Sequence, residues 1–118
     1  MNYLKRNKRK IYLCNQKEEN GRIEYTKPRE FELNFQPLTS DGEIIAIGSE
    51  YTNRLVIYTK PTIAKEFKNK DRCYVYNEIP KEHDKFCNNA DFYVDGDPLI
   101  FLNEAYFYLQ KMTGENDA

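Results

Sequence analysis

Hydrophobic and polar side chains alternate along several short segments, which is the pattern of strands with one buried face. In the segment 27–36, Phe31, Leu33 and Phe35 alternate with polar residues. Pro37 follows, and because proline cannot donate to a sheet ladder, it is predicted to end this strand. Comparable patterns predict further strands over residues 11–14, 54–59, 72–76, 90–95, 99–102 and 104–111.

The predicted strand 54–59 differs from the others because its centre is continuously apolar. A strand of this kind is typically buried on both faces, or it faces a neighbouring subunit.

Turn-forming residues separate these strands. Asn20-Gly21 is a strong hairpin signal and predicts an exposed loop or hairpin tip within residues 15–25. Asp95-Gly96, followed by Asp97-Pro98, predicts a tight turn between two strands. The polar stretch 78–89 is predicted to be a loop, and residues 62–70 a short helical turn or a loop around Phe67.

The segment after Pro37 has the features of a single helical turn. Ser40 and Glu43 have the spacing of a capping box, and Gly48 suits the end of a helix. Between them lie the apolar residues Ile44, Ile45 and Ile47.

Length and composition favour one mainly β domain. The chain has 118 residues, enough for a single modest core, and 14% of them are aromatic, with ten Tyr, seven Phe and no Trp. Aromatic residues are enriched in strands. The predicted fold is a small antiparallel β-barrel or sandwich of six to seven short strands with one short helical turn, covering residues 10–112. Residues 113–118 are predicted to be a loose tail.

The formal net charge of -1 gives no overall attraction to nucleic acid, but the basic residues are unevenly distributed. Residues 1–9 are predicted to form a flexible basic arm that ends beside the barrel. Such an arm either is a solvated terminus or docks on phosphates or an acidic protein surface. The candidate docking residues are Lys5, Arg6, Lys8, Arg9 and Lys10.

No apolar run approaches the roughly 20 residues that span a bilayer, and the first residues do not resemble a secretory signal. The chain is therefore expected in the cytosol. Three scattered cysteines, Cys14, Cys73 and Cys87, fit free thiols in a reducing compartment.

Residue spacing gives little support for catalysis or metal binding. His83 and Cys87, with Cys73 and Cys14, have ligand chemistry for zinc but contain no Cys-x-x-Cys pair. A Cys87–His83 nucleophile and base would need an orienting third group and an oxyanion site, which no motif supplies. We therefore predict a protein without catalytic, cofactor or metal residues, in which Asp91, Asp95 and Asp97 form no calcium site and Asp95 and Asp97 belong to a tight turn.

Tyrosines on the predicted sheet faces are the strongest candidates for a binding surface. They lie opposite the expected core residues and comprise Tyr74, Tyr76, Tyr93, Tyr106 and Tyr108. Tyrosine is enriched at protein–protein interfaces, and this is the favoured interpretation. The alternative is a stacking platform for single-stranded nucleic acid on an OB-like barrel. Acidic neighbours, which repel phosphates, count against that alternative: Glu78, Asp91, Asp95 and Glu104.

The order of several short segments along the chain is also informative. These segments are 11–13 (IYL), 34–38 (NFQPL), 44–48 (IIAIG), 55–58 (LVIY), 71–75 (DRCYV) and 90–94 (ADFYV). In this order they resemble the small head-tail connector proteins of long-tailed bacteriophages, and more specifically the head-closure (stopper) group. The resemblance covers about residues 10–112.

That resemblance implies a structural virion protein of the phage neck, assembled in the host cytoplasm. Such proteins form a ring beneath the portal, retain packaged DNA and offer a docking surface to the tail. The implied partners are further copies, a portal or adaptor protein, a tail-terminator or tail protein, and double-stranded DNA that passes without sequence-specific binding. The residues do not distinguish a head-closure role from an adaptor or tail-terminator role.

The resemblance also assigns a channel role to the loop at residues 38–53. Its acidic residues would keep the duplex from adhering to the wall, whereas its isoleucines would contact a neighbouring subunit. The candidate residues are Asp41, Glu43, Ile44, Ile45, Ile47 and Glu50.

Overall fold

The computed structural model describes residues 8–38 and 54–112. In these residues the chain forms eight strands and one short helix. In chain order they are β1 (Lys8–Cys14), β2 (Gln16–Glu19), β3 (Arg22–Tyr25), β4 (Arg29–Leu38), β5 (Arg54–Thr59), α1 (Pro61–Ala64), β6 (Arg72–Tyr74), β7 (Phe92–Ile100) and β8 (Ala105–Lys111). The helical turn predicted around residues 40–48, the channel-loop candidates Asp41, Glu43, Ile44, Ile45, Ile47 and Glu50, and the tail lie outside the described residues.

Six of these strands form a closed antiparallel barrel in the order β1-β4-β5-β8-β7-β6. The segment between β5 and β6 crosses the barrel, so that β6 returns to lie beside β1. The spatial order β6-β1-β4-β5 is a Greek key. The small mainly β barrel with one short helical turn is therefore confirmed.

Alternating side chains of the barrel strands fill its interior. The largest of these core residues are Ile11, Leu13, Leu33, Phe35, Leu55, Ile57, Phe92, Phe107 and Leu109. In β5, Val56 points to the other face yet is only 3% exposed. The prediction that this strand is buried on both faces is thus confirmed for its centre, whereas Arg54 and Tyr58 on the outer face are partly exposed.

The segment after α1 closes one end of the barrel with aromatic packing. The Phe67 ring is stacked 4.5 Å from the Phe107 ring, centroid to centroid, and lies 5.2 Å from that of Phe31. The predicted helical turn near Phe67 is confirmed, although α1 begins slightly earlier, at Pro61. In the described part of the chain no helix has the length and apolar character needed to span a membrane.

Pro37 does not end its strand, contrary to the prediction. β4 continues to Leu38, and Pro37 is paired in register with Leu55 of β5. On the other side of β4, the described pairing with β1 reaches only as far as Asn34. Because Pro37 pairs with a neighbouring strand on one side alone, the missing N–H of proline is tolerated there.

The Asn20-Gly21 hairpin is confirmed as the β2–β3 turn. Both residues have positive φ, 53° and 78°, which is the requirement of a type I′ turn. β2 and β3 form a separate two-stranded sheet that projects from the barrel wall.

The tight turn predicted at Asp95-Gly96 is wrong. Residues 92–100 are one strand, β7, whose register with β8 shifts between Asp95 and Leu99. Gly96, with φ of 86°, provides the backbone conformation for this β-bulge. The segment 99–102 is therefore not a new strand. The reversal lies further on, where the Phe101 N–H donates to the Glu104 carbonyl at 2.8 Å.

Three of the five residues assigned to the basic docking arm lie in the barrel instead. β1 already begins at Lys8, so Lys8, Arg9 and Lys10 belong to the barrel, while Lys5 and Arg6 lie outside the described residues. Arg9 Nε donates to the Val75 carbonyl at 2.9 Å, which fixes its side chain to the wall.

Candidate functional site

The outer face of β5 and β8 carries neighbouring aromatic rings. Tyr58 of β5 is in register with Tyr106 of β8, and their ring centroids are 6.1 Å apart. Tyr108 meets Tyr106 edge-on at 5.9 Å. Phe101, from the β7–β8 turn, stacks on Tyr106 at 5.9 Å with an interplanar angle of 16°. We call Tyr58, Phe101, Tyr106 and Tyr108 the aromatic face.

A second apolar feature adjoins the aromatic face at the β7–β8 turn. We call Leu99, Ile100, Phe101 and Leu102 the apolar tip. Their exposed fractions are 48%, 44%, 55% and 91%. A small domain rarely leaves so many large apolar side chains together in water unless a partner covers them.

The charge on the aromatic face is nearly balanced. The Arg54 guanidinium lies 4.4 Å above the Tyr108 ring, in cation–π geometry. The same group is 3.4 Å from the Asp95 carboxylate, which neutralises it. A pocket of about 380 Å³ beside Tyr58 has both signs at its rim, with Lys8, Lys60, Glu32 and Glu104. This surface therefore lacks the continuous basic groove that typically follows a nucleic-acid backbone.

Of the five predicted interface tyrosines, the structure brings together only Tyr106 and Tyr108. Tyr93 is also on the outer face, where it is in register with Gln110, two residues along β8 from Tyr108. The Lys70 ammonium lies 5.8 Å from its ring. Tyr76 lies elsewhere, 49% exposed, with the Arg9 guanidinium 4.5 Å above its ring. Partial burial raises the pKa of the Tyr76 phenol, and Arg9 opposes that shift.

The prediction that Tyr74 belongs to an exposed interface is wrong. It does point away from the barrel core, but it is only 1% exposed. It packs in a second cluster, between the barrel wall and the 75–91 loop, with Cys14, Tyr25, Cys87 and Ala90. Burial raises the pKa of the Tyr74 phenol, and its interaction with Cys87 adds to that shift.

Sequence reasoning missed two members of the aromatic face, Tyr58 and Phe101. Tyr58 follows Arg54 and Val56 at a spacing of two, which places it on the outer face, but the apolar run obscured this alternation. Phe101 was assigned to a strand because the turn was placed too early.

The three cysteines are free, as predicted, and all are buried. The Cys87 thiol interacts with Cys14 and Tyr74; the hydrogen bond from Cys14 lowers its pKa and raises that of Cys14. His83 has a different partner, since its Nε2 is 2.9 Å from the Tyr25 carbonyl oxygen. Within residues 8–38 and 54–112, no group of three or more His, Cys, Asp or Glu side chains is arranged to hold a metal ion.

Comparison of the chain with family models, with curated proteins and with solved structures gives no match.

Proposed function

We propose that this protein is a structural component of the phage neck, a head-tail connector of the head-closure type. It would form a ring with further copies beneath the portal, retain packaged DNA and present a docking surface to the tail. The order of the barrel segments supports the family. A closed barrel with a partly exposed aromatic face and an exposed apolar tip suits a part that acts by binding other proteins.

The observation that carries this proposal is the exposure of the apolar tip. Each large apolar side chain gains roughly 1.5–3 kcal/mol when it is fully removed from water. Leu102, at 91% exposure, has gained almost none of this on folding. Much of that stabilisation therefore remains available to an association partner, and the adjoining tyrosines extend the surface with groups common at interfaces.

The channel assignment of residues 38–53 is part of the same proposal. Asp41, Glu43 and Glu50 would face the DNA, and Ile44, Ile45 and Ile47 would contact a neighbouring subunit. The ends of this segment are adjacent, since Leu38 is in register with Arg54. The segment thus leaves and rejoins the barrel at one point.

The direct test is assembly on a portal complex. The genome that encodes this chain is searched for a neighbouring portal gene, the two proteins are co-expressed, and the purified portal is imaged by electron microscopy. We expect an added ring beneath the portal with the natural chain and none with Leu102→Asp, because a charge at the tip opposes burial. Ile23→Asp is the matched control, since Ile23 is exposed to 53% on β3, away from the tip. The absence of a portal gene, or of any added ring, would overturn the proposal.

The second candidate function is binding of single-stranded nucleic acid, which the stacked Phe101 and Tyr106 rings favour. Nucleobases stack on such aromatic surfaces without sequence preference. Fluorescence anisotropy with a labelled oligothymidine would distinguish the two. Tight binding that weakens with salt and is lost in Tyr106→Ala would favour this alternative over the connector role.

A further inference from the structure

A socket of about 400 Å³ lies on the barrel wall far from the apolar tip. Its apolar lining is provided by Tyr12, Pro28, Ile79 and Pro80. Tyr12 is held in place because its hydroxyl donates to the Glu30 carboxylate at 3.2 Å. The socket is thus an open hollow whose volume accommodates one or two large side chains.

The socket and the tip lie on opposite sides of the barrel. Tyr12 points outward from β1, because its neighbours Ile11 and Leu13 belong to the core, and Glu30 of β4 is in register with it on the same face. The tip extends from the β7–β8 pair. In the closed strand order these two pairs are separated by one strand in either direction, β5 on one side and β6 on the other. One chain therefore cannot fill its own socket.

Charges beside the two features are complementary. The exposed Glu104 lies two residues after Leu102, the last residue of the tip, and the exposed Lys27 and Lys81 line the socket. The remaining carboxylate at the socket, Glu30, accepts the hydrogen bond from Tyr12 and keeps its negative charge, and the two lysines outnumber it by one. An incoming tip would place its carboxylate near two ammonium groups, which favours this orientation over others.

We propose that the apolar tip of one copy inserts into the socket of the next copy, in a head-to-tail contact. The choice of a second copy as the partner rests on the proposed ring-forming function. Because the two surfaces differ and lie on opposite sides, the contact is heterologous and repeats from copy to copy, closing into a ring when the rotation allows. Phe101 and Leu102 are the inserted side chains, and Glu104 approaches Lys27 and Lys81.

Disulfide trapping tests this contact even when association is weak. The variant Leu102→Cys/Lys81→Cys carries one thiol on the tip and one at the socket. The native cysteines are buried and do not compete. Under mild oxidation we expect a ladder of covalent trimers and longer chains on a non-reducing gel. The matched control is Leu102→Cys/Lys17→Cys, since Lys17 is exposed on the β2–β3 hairpin.

A ladder from the socket pair, with dimers at most from the control, supports the contact. Equal ladders from both pairs, or none from the socket pair, would overturn it. Dimers from Leu102→Cys alone at a yield equal to that of the socket-pair ladder would indicate a symmetric tip-to-tip contact and would also overturn it.

Charge exchange gives an independent readout by sedimentation velocity. Glu104→Lys and Lys81→Glu should each reduce self-association, and the double variant should restore part of it. Failure of these two assays with intact portal binding would exclude only the head-to-tail contact. A ladder without portal binding would exclude only the connector function.

Discussion

Two buried carboxylates, Asp71 and Asp91, connect irregular segments to the barrel. Asp71, at 2% exposure, accepts hydrogen bonds from the Gln16 N–H at 2.7 Å, the Lys68 N–H at 2.9 Å and the Asn15 amide at 2.7 Å. Asp91 accepts the backbone N–H groups of Val75 and Tyr76, both at 2.8 Å. These side chains satisfy backbone donors that no strand partner satisfies.

Removal of the Asp71 carboxylate should destabilise the fold markedly. Asp71→Ala leaves three donors without their acceptor, one of them at the start of β2, and we expect a loss of about 3 kcal/mol in the free energy of unfolding. Urea denaturation followed by circular dichroism measures the change. The control is Asp97→Ala, because Asp97 is exposed and accepts only a long 3.3 Å contact from the Asn69 N–H. A similar loss in both variants would contradict this role of Asp71.

Single tyrosines show where sequence reasoning stops. The alternation of Tyr74 with Cys73 and Val75 correctly placed it on the outer side of the sheet. It gave no information on the 75–91 loop that covers it, because the loop is positioned by long-range contacts such as that of His83 with Tyr25. Exposure depends on tertiary packing, whereas the side of a strand is a local property.

Strand positions followed from the local pattern, whereas turns did not always do so. β5 and β8 were predicted almost to the residue, since their alternation or apolar run is uninterrupted. Asp95-Gly96 has the sequence of a hairpin turn, yet β8 pairs with β7 on both sides of it. A dipeptide that favours positive φ suits a bulge as well as a turn, and only the partner strand decides between them.

Substitutions of Gly96 in the β7 bulge should reduce stability because its backbone has a positive φ. A Cβ added there would meet no atom within 4 Å, so any loss of stability comes from the positive φ alone. We expect Gly96→Val to cost about 2 kcal/mol and Gly96→Asn about 1 kcal/mol or less, because asparagine tolerates this backbone region. Thermal or urea unfolding of the pair measures the difference. Equal costs would show that strain at φ is not the cause.

The barrel as a unit is expected to lose stability in alkali. Burial raises the pKa of the Cys73 thiol, and the carboxylates of Asp71 and Asp91 add to this shift. The unfolded chain releases this proton above about pH 8.5, whereas the folded chain keeps it. The contribution of the protonated Cys73 thiol to the free energy of unfolding is therefore fully present below that pH. It is lost as the pH rises towards the pKa of Cys73 in the folded chain.

This linkage is measurable with one substitution. Between pH 9 and 10.5, the natural chain should lose about 1.4 kcal/mol more per pH unit than Cys73→Ala does. Urea titrations at a series of pH values give the dependence of the free energy of unfolding on pH for both proteins. The difference between their free energies of unfolding at pH 7 gives the cost of the missing sulfur separately. Parallel slopes would mean that Cys73 ionises alike in the folded and unfolded chains.

Closure of the barrel has a consequence for how copies meet. Each of the six barrel strands is hydrogen-bonded to a strand on both sides. An exposed strand edge is the usual template for amyloid-like stacking, and this wall offers almost none. Contacts between copies of the barrel therefore use side chains rather than strand pairing, and within the described residues the strand edges left open are those of the short β2–β3 sheet.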